Sequence, residues 1–155
     1  MRLQRHLDKT LVFPGLRCQS KEELLRQLAD QTAEHLPVVD ANLLWSLLRQ
    51  REAGSTTGIG SGVAVPHCTV DGLDESICVL AQVPDGVDFG AIDEAPVHFV
   101  FLLLSPPEAI GTHLRLLARI ARLLHSTGFP ESLRESGDAD AIYQRVVTED
   151  SRHID

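Results

Sequence analysis

Arg51-Glu52-Ala53-Gly54-Ser55-Thr56-Thr57-Gly58-Ile59-Gly60-Ser61-Gly62-Val63-Ala64-Val65-Pro66-His67 is the stretch on which the fold and chemistry of this chain turn. Its glycines first invite a nucleotide-binding reading. A P-loop needs Gly-Lys followed by Ser or Thr, and a dinucleotide fingerprint needs G-x-G-x-x-G opening a helix. Here no Lys is present, the spacing is G-x-G-x-G, and a short β-branched run follows. Both nucleotide readings fail. What remains is a helix end, a turn rich in hydroxyls and amides, a short strand, and a histidine placed by Pro66. Backbone N–H groups in such a turn can form an anion-binding nest, and Ser or Thr hydroxyls can donate to phosphate oxygens. A histidine beside it, with an ordinary pKa of about 6.5, offers a neutral imidazole as a nucleophile. A plainer reading stands alongside: glycines that serve only the turn, and a histidine that merely ends a strand. Chemistry alone leans to the plainer one.

Working outward, Ser20-Lys21-Glu22-Glu23 fits a capping box. Leu24, Leu25, Leu28, Ala29, Thr32 and Leu36 then recur at helical spacing, which predicts an amphipathic helix over 21–36 that Pro37 ends. Asp40 can cap a second helix with Leu43, Leu44, Leu47 and Leu48 inward; Arg49 and Arg51 near its end oppose the negative end of the helix dipole. Trp45 lies among these leucines and reads as core.

Leu11–Phe13 stops at Pro14, as a short edge strand would. The charged start, Arg2 to Arg5, reads as mobile. Val63–Val65 and Ile77–Val83 read as strands, and the almost wholly apolar run Val97–Leu104 reads as a central strand buried on both faces. From Thr112 a third helix is expected, with Leu114, Leu117, Ile120, Ala121 and Leu124 inward. A helical turn over Glu131–Ser136 and a last helix, capped by Asp138 and running through Val147, complete the chain. Interleaved helices and strands predict an α/β fold: a mixed β-sheet flanked by helices on both faces, in a single domain over 1–155 with a core of about 8–148.

Composition narrows the function. The 155 residues carry a formal net charge of −8, which argues against the basic surface that sequence-independent nucleic-acid binding requires. It is compatible with a basic protein partner. No apolar run approaches a bilayer span, and Met1 to Thr10 lacks the apolar core of a signal peptide. Cys18, Cys68 and Cys78 form no CxxC pair, as in a reduced, cytoplasmic setting. No Cys/His spacing supports zinc, so no metal and no cofactor are expected. Among the seven histidines, His98 reads as packed within its strand, and His6, His35 and His153 as solvent-facing. His125 does not share a helical face with His113. Cys68 and His67 are neighbours in a strand and point to opposite faces, which excludes a Cys–His dyad.

The motif resembles the enzyme IIA component of the fructose–mannitol class of the bacterial sugar phosphotransferase system, and within it the nitrogen-regulatory IIA proteins. The matching residues are Arg51-Glu52, Thr56-Thr57-Gly58-Ile59-Gly60 and Val63-Ala64-Val65-Pro66-His67. Phe89-Gly90-Ala91-Ile92-Asp93 with Pro96-Val97, and Thr112-His113-Leu114 leading into Leu117-Ala118 and Ile120-Ala121, match as well. The resemblance implies that His67 accepts a phosphoryl group from the phosphohistidine of an HPr-like carrier protein. His113 would support that group and Arg51 would act on its oxygens. Thr56, Thr57, Gly58, Gly60 and Thr112 would complete the phosphate-binding set. Thr56 stands where the family usually has Ser, and Cys68 replaces the Gly that commonly follows the histidine. Two outcomes remain open: a nitrogen-branch regulator that binds target proteins, or a sugar-transport IIA that passes phosphate to a cysteine of an enzyme IIB. The lack of a fused IIB or membrane segment leans toward the regulator.

Overall fold

The computed structural model describes residues 1–154. Its elements, in chain order, are β1 (Leu7–Phe13), α1 (Lys21–His35), α2 (Ala41–Gly54), β2 (Gly58–Gly60), β3 (Val63–Ala64) and β4 (His67–Thr69). They continue with β5 (Ile77–Val87), β6 (Val97–Ser105), α3 (Ile110–Leu124), α4 (Phe129–Glu135) and α5 (Ala139–Ser151). The six strands form one mixed sheet in the order β1-β5-β6-β3-β2, with β4 also paired to β6. β6 lies at the centre, antiparallel to β5 and parallel to β3 and β4. That position explains its composition, since apolar side chains are needed on both of its faces.

Alternation along β6 builds two cores. Val100, Leu102 and Leu104 face α1 and α2, where they meet Leu24, Leu25, Leu28, Leu44 and Leu48. Phe99, Phe101 and Leu103 face the other layer and meet Leu116, Ile120 and Leu123 of α3, Phe129 and Leu133 of α4, and Ile142 and Val146 of α5. Helices on both faces of a mixed sheet are therefore observed as expected. The three predicted caps form: Ser20 Oγ accepts from Glu23 N at 3.1 Å, Asp40 from Leu43 N at 3.0 Å and Asp138 from Ala141 N at 2.8 Å. Each such cap contributes about 1 kcal/mol. Glu23 reaches back to the amide of Gln19 rather than to that of Ser20.

Several expectations need correction. The start of the chain is anchored: residues Leu3–His6 form a 3-10 turn, Leu3 is fully buried, and Gln4 N donates to Asp150 Oδ2 at 3.0 Å. One leucine among charges carries no periodicity, so the anchoring pocket is invisible until α5 supplies it. β1 begins four residues early because β5 offers it a parallel edge. β5 continues past Val83 to Val87 through a register shift, and Gly86 there has φ +76°; a Cβ would lie 2.6 Å from the His98 ring. The Gly-rich turn itself contains a strand, β2, paired antiparallel to β3. Pro66 divides β3 from β4, and both run along β6.

The expected inward faces of two helices also change. Leu43 is 56% exposed, and Trp45 is half-buried with guanidinium groups of Arg26 and Arg49 over its ring, at 4.9 Å and 3.9 Å. In α3, which starts at Ile110 after a 3-10 turn at Pro107–Ala109, the buried face is His113, Leu116, Arg119, Ile120 and Leu123. Leu114 is 59% exposed and Ala121 is exposed as well. The helix carries two apolar stripes, and periodicity cannot say which of them meets the sheet. α4 begins two residues before the expected turn, and α5 runs four residues beyond Val147, to Ser151.

Candidate active site

Pairing of β4 with β6 sets His67 opposite Leu103 and Cys68 opposite Leu104. Since Leu103 faces α3 and Leu104 faces α1 and α2, neighbouring residues of β4 part as expected. Cys68 packs against the α1–α2 core, and burial pushes its thiol up to about 12. It stays a neutral thiol at physiological pH. His67 is half-buried at the opposite side.

Two contacts define the state of His67. Its Nδ1 lies 2.8 Å from the Val65 carbonyl, which can only accept, so Nδ1 carries the proton. On the other side, Arg51 Nε–H donates to Nε2 at 3.3 Å, which requires a lone pair there. The ring is the neutral Nδ1–H tautomer, and Nε2 carries the lone pair. Arg51 is held in the last turn of α2, where its Nη1 donates to the Ser55 carbonyl at 3.0 Å. A cation at a helix C-terminus is electrostatically favourable.

Glu52, next to it, turns inward. Its carboxylate accepts from Thr57 N at 3.0 Å, contacts the Thr57 hydroxyl, and pairs with Lys21 Nζ at 2.8 Å. Lys21 also lies over the Phe89 ring at 4.3 Å. One buried carboxylate thus ties the start of α1, the end of α2 and the Gly-rich turn. Sequence reading quoted Glu52 only as part of a motif and missed Lys21, because their meeting depends on how α1 and α2 pack.

His113, in the first turn of α3, is buried, and its ring centroid is 5.5 Å from that of His67 at an interplanar angle of 57°. Its Nδ1 lies 2.7 Å from Ser105 Oγ. Burial, and secondly the neighbouring His67, lower its pKa below the usual histidine range, so His113 is neutral at pH 7.

A cleft of about 230 Å³ opens over His67, lined by Arg51, Thr56, Thr57, Ile59, Val65, Leu117 and Ala121. The fold therefore gathers Arg51, Thr56, Thr57 and His67 around one space, with the His113 ring tilted against that of His67. Gly58, Gly60 and Thr112 do not line this cleft. The Thr57 hydroxyl is engaged by Glu52, and the Gly58 amide donates to Thr56 Oγ1 at 3.0 Å. Gly58 meets Ala91 and Phe89 so closely that a Cβ would lie 2.8 Å from Ala91 Cβ. Gly58→Ala should therefore lower unfolding free energy by about 1–3 kcal/mol in denaturant titration. Gly60, with φ +99°, sits against Asp93, which accepts from Ser61 N at 3.1 Å. Thr112 is half-buried in the first turn of α3. The apolar residues Leu117 and Ala121, read from sequence as core, belong to the mouth of the cleft.

The remaining histidines stand apart from this cluster. His98 is half-buried, with Nδ1 at 3.2 Å from the Val83 carbonyl, as expected of a packed residue. His35 and His125 are exposed. His6 and His153 are half-buried, not solvent-facing: His6 Nδ1 donates to the Ser76 carbonyl at 2.9 Å, and His153 Nε2 lies 2.8 Å from Glu149 Oε2.

The chain as a whole is similar to known proteins. It is 40% identical over 128 residues to a nitrogen regulatory protein of Pseudomonas aeruginosa, covering 83% of each chain. It is 41% identical over 132 residues to a nitrogen regulatory protein of Bradyrhizobium diazoefficiens, covering 85% of this chain and 86% of that one. The crystal structure of the nitrogen regulatory protein IIA-Ntr from Neisseria meningitidis superposes with a TM-score of 0.84 at 26% identity, over 93% of this chain and 98% of that chain. The family described as "Phosphoenolpyruvate-dependent sugar phosphotransferase system, EIIA 2" matches residues 5–148, and the chain belongs to that family.

Proposed function

We propose that this protein is a histidine phosphocarrier of the nitrogen-regulatory kind, taking a phosphoryl group from the phosphohistidine of an HPr-like carrier onto Nε2 of His67. The observation that carries this reading is the tautomer: the Val65 carbonyl holds the proton on Nδ1 and leaves the Nε2 lone pair facing Arg51 and the cleft. In the transfer, that lone pair forms the new N–P bond while the donor's N–P bond breaks and its electron pair returns to the donor imidazole, which leaves neutral because its other ring nitrogen carries a proton, as Nδ1 of His67 does throughout. Both nitrogens are imidazole nitrogens, so the step is close to thermoneutral and the protein mainly aligns the groups and balances charge. Arg51 Nε–H, now on Nε2, passes to a phosphoryl oxygen as the bond forms. His113 supplies a second neutral contact from α3. Thr56 Oγ1 accepts from Gly58 N and keeps its own proton to donate toward the phosphate. Thr57, Gly58, Gly60 and Thr112 shape the turn and helix start around these groups.

Incubation with phosphorylated HPr-like carrier, followed by 31P NMR, tests this. One acid-labile phosphate on His67 Nε2 is expected; phosphate on any other residue would overturn the assignment. Arg51→Ala should slow its formation by about 10²-fold or more, as removing one donor to a developing charge does, and Arg51→Lys should restore only part of the rate. A sugar-transport role is the second reading, favoured by the family's description. Productive discharge to an enzyme IIB cysteine would move the assignment there. Among the described residues no helix is long and apolar enough to cross a membrane.

A further inference from the structure

We infer that Ser76 and Ser105 are positioning residues whose hydroxyls form a proton wire to His113 and hold its ring proton on Nε2. The inference rests on the reading of His67 as the phosphoryl acceptor. Strand register builds the wire. Ile77 pairs with Leu104, so Ser76 and Ser105 lie side by side at the end of the β5–β6 ladder. Thr69 of β4 pairs with Ser105, and Val70 N donates to the Ser105 carbonyl at 2.8 Å. The Ser76 carbonyl accepts from His6. Both backbones are thereby pinned, and both serines are buried. Ser105 Oγ then lies 2.7 Å from Ser76 Oγ and 2.7 Å from His113 Nδ1.

Each hydroxyl has one proton, so the chain has two directions. In one, Nδ1–H donates to Ser105, Ser105 donates to Ser76, and the Ser76 proton needs a further acceptor. Among the described residues Ser76 Oγ has no second partner, and a buried donor left unpaired is costly. In the other, Ser76 donates to Ser105 and Ser105 donates into the Nδ1 lone pair, which places every hydroxyl proton. The second direction is the favoured one. His113 is buried beside His67 and stays neutral, so it has one ring proton, and the wire assigns it to Nε2. Phosphoryl oxygens only accept hydrogen bonds. The Nε2–H tautomer offers them a donor, whereas the opposite tautomer would turn a lone pair toward a dianion.

The test is long-range 1H–15N NMR of the histidine rings in the unphosphorylated protein, followed by single-turnover phosphorylation by the HPr-like carrier. Wild type should show His113 Nδ1 unprotonated and Nε2 protonated. Ser105→Ala should raise the Nδ1–H tautomer several-fold, Ser76→Ala should raise it less, and Ser105→Thr should restore the wild-type pattern. Ser105→Ala should also slow phosphorylation about tenfold at unchanged half-saturating carrier, again with rescue by Thr. An Nδ1–H tautomer in wild type overturns the proposal. So does a Ser105→Ala variant whose tautomer is unchanged, whatever its rate. The tautomer is read without any donor, so a wild-type protein that shows the expected tautomer yet takes no phosphate would overturn the proposed function and support the wire.

Discussion

His67→Ala is expected to reduce phosphate incorporation from a phosphorylated carrier to the level of a donor-free control. The loss should be essentially complete, because no neighbouring nucleophile can take over. His113 is buried, and its Nδ1 is engaged by Ser105 at 2.7 Å. Cys68 faces the α1–α2 core, with its thiol held up at about 12, so its thiolate is scarce at pH 7. The Thr56 hydroxyl accepts from the Gly58 amide, and the Thr57 hydroxyl is buried and held inward by the Glu52 carboxylate. The fold should survive the change, since His67 is half-buried at a strand end and, among the described residues, its ring makes only the Val65 and Arg51 hydrogen bonds. Circular dichroism should match wild type while labelling vanishes. Labelling retained by the Ala variant, and mapped to His113 or Cys68, would move the acceptor there.

The largest stability effect should come from Asp150→Ala. Arg119 Nε donates to Asp150 Oδ1 at 2.8 Å, and the two side chains are only 4% and 1% exposed. Asp150 Oδ2 also accepts from Gln4 N, and its carbonyl accepts from Arg119 Nη2 at 2.8 Å. This one residue joins α5, α3 and the start of the chain. Truncating it removes the buried carboxylate that balances the Arg119 charge, a change that costs about 3–5 kcal/mol. In a chain of this size that corresponds to a fall in Tm of about 10–15 °C. Calorimetry of the single variant and of an Arg119→Met/Asp150→Leu double variant should separate the pair's role from simple packing. The double variant should recover most of the lost stability, because apolar replacements of a buried pair are often neutral. A single-variant shift of only a degree or two would show that the clamp is dispensable.

How much could be read without the fold varies with the kind of signal. Ser20, Asp40 and Asp138 were legible as caps because a cap bonds to residues only three positions away. β6 was legible because a strand buried on both faces must be apolar throughout. Arg51 and His67 were legible because their motif is contiguous. α3 shows the opposite case. Its leucines fall into two stripes, and only the sheet decides that Leu116, Ile120 and Leu123 are core while Leu114 remains outside. The anchoring of Leu3 and the extension of β1 likewise depended on distant partners, α5 and β5. Ser105 closes an apolar strand and Ser76 precedes another, and nothing local marks either as a neighbour of His113.

By itself the sequence determined the α/β class, the interleaving of elements and the helix caps, and it singled out His67 as the candidate nucleophile, all consequences of local periodicity and a contiguous motif. Tertiary structure decided the rest: which nitrogen of His67 holds the lone pair, how Glu52 and Lys21 brace the turn, and how Ser76 and Ser105 reach His113. The physical reason is that a tautomer, an ion pair and a hydroxyl wire each need atoms within about 3 Å, and only strand register and helix packing bring residues so far apart in the chain to that distance.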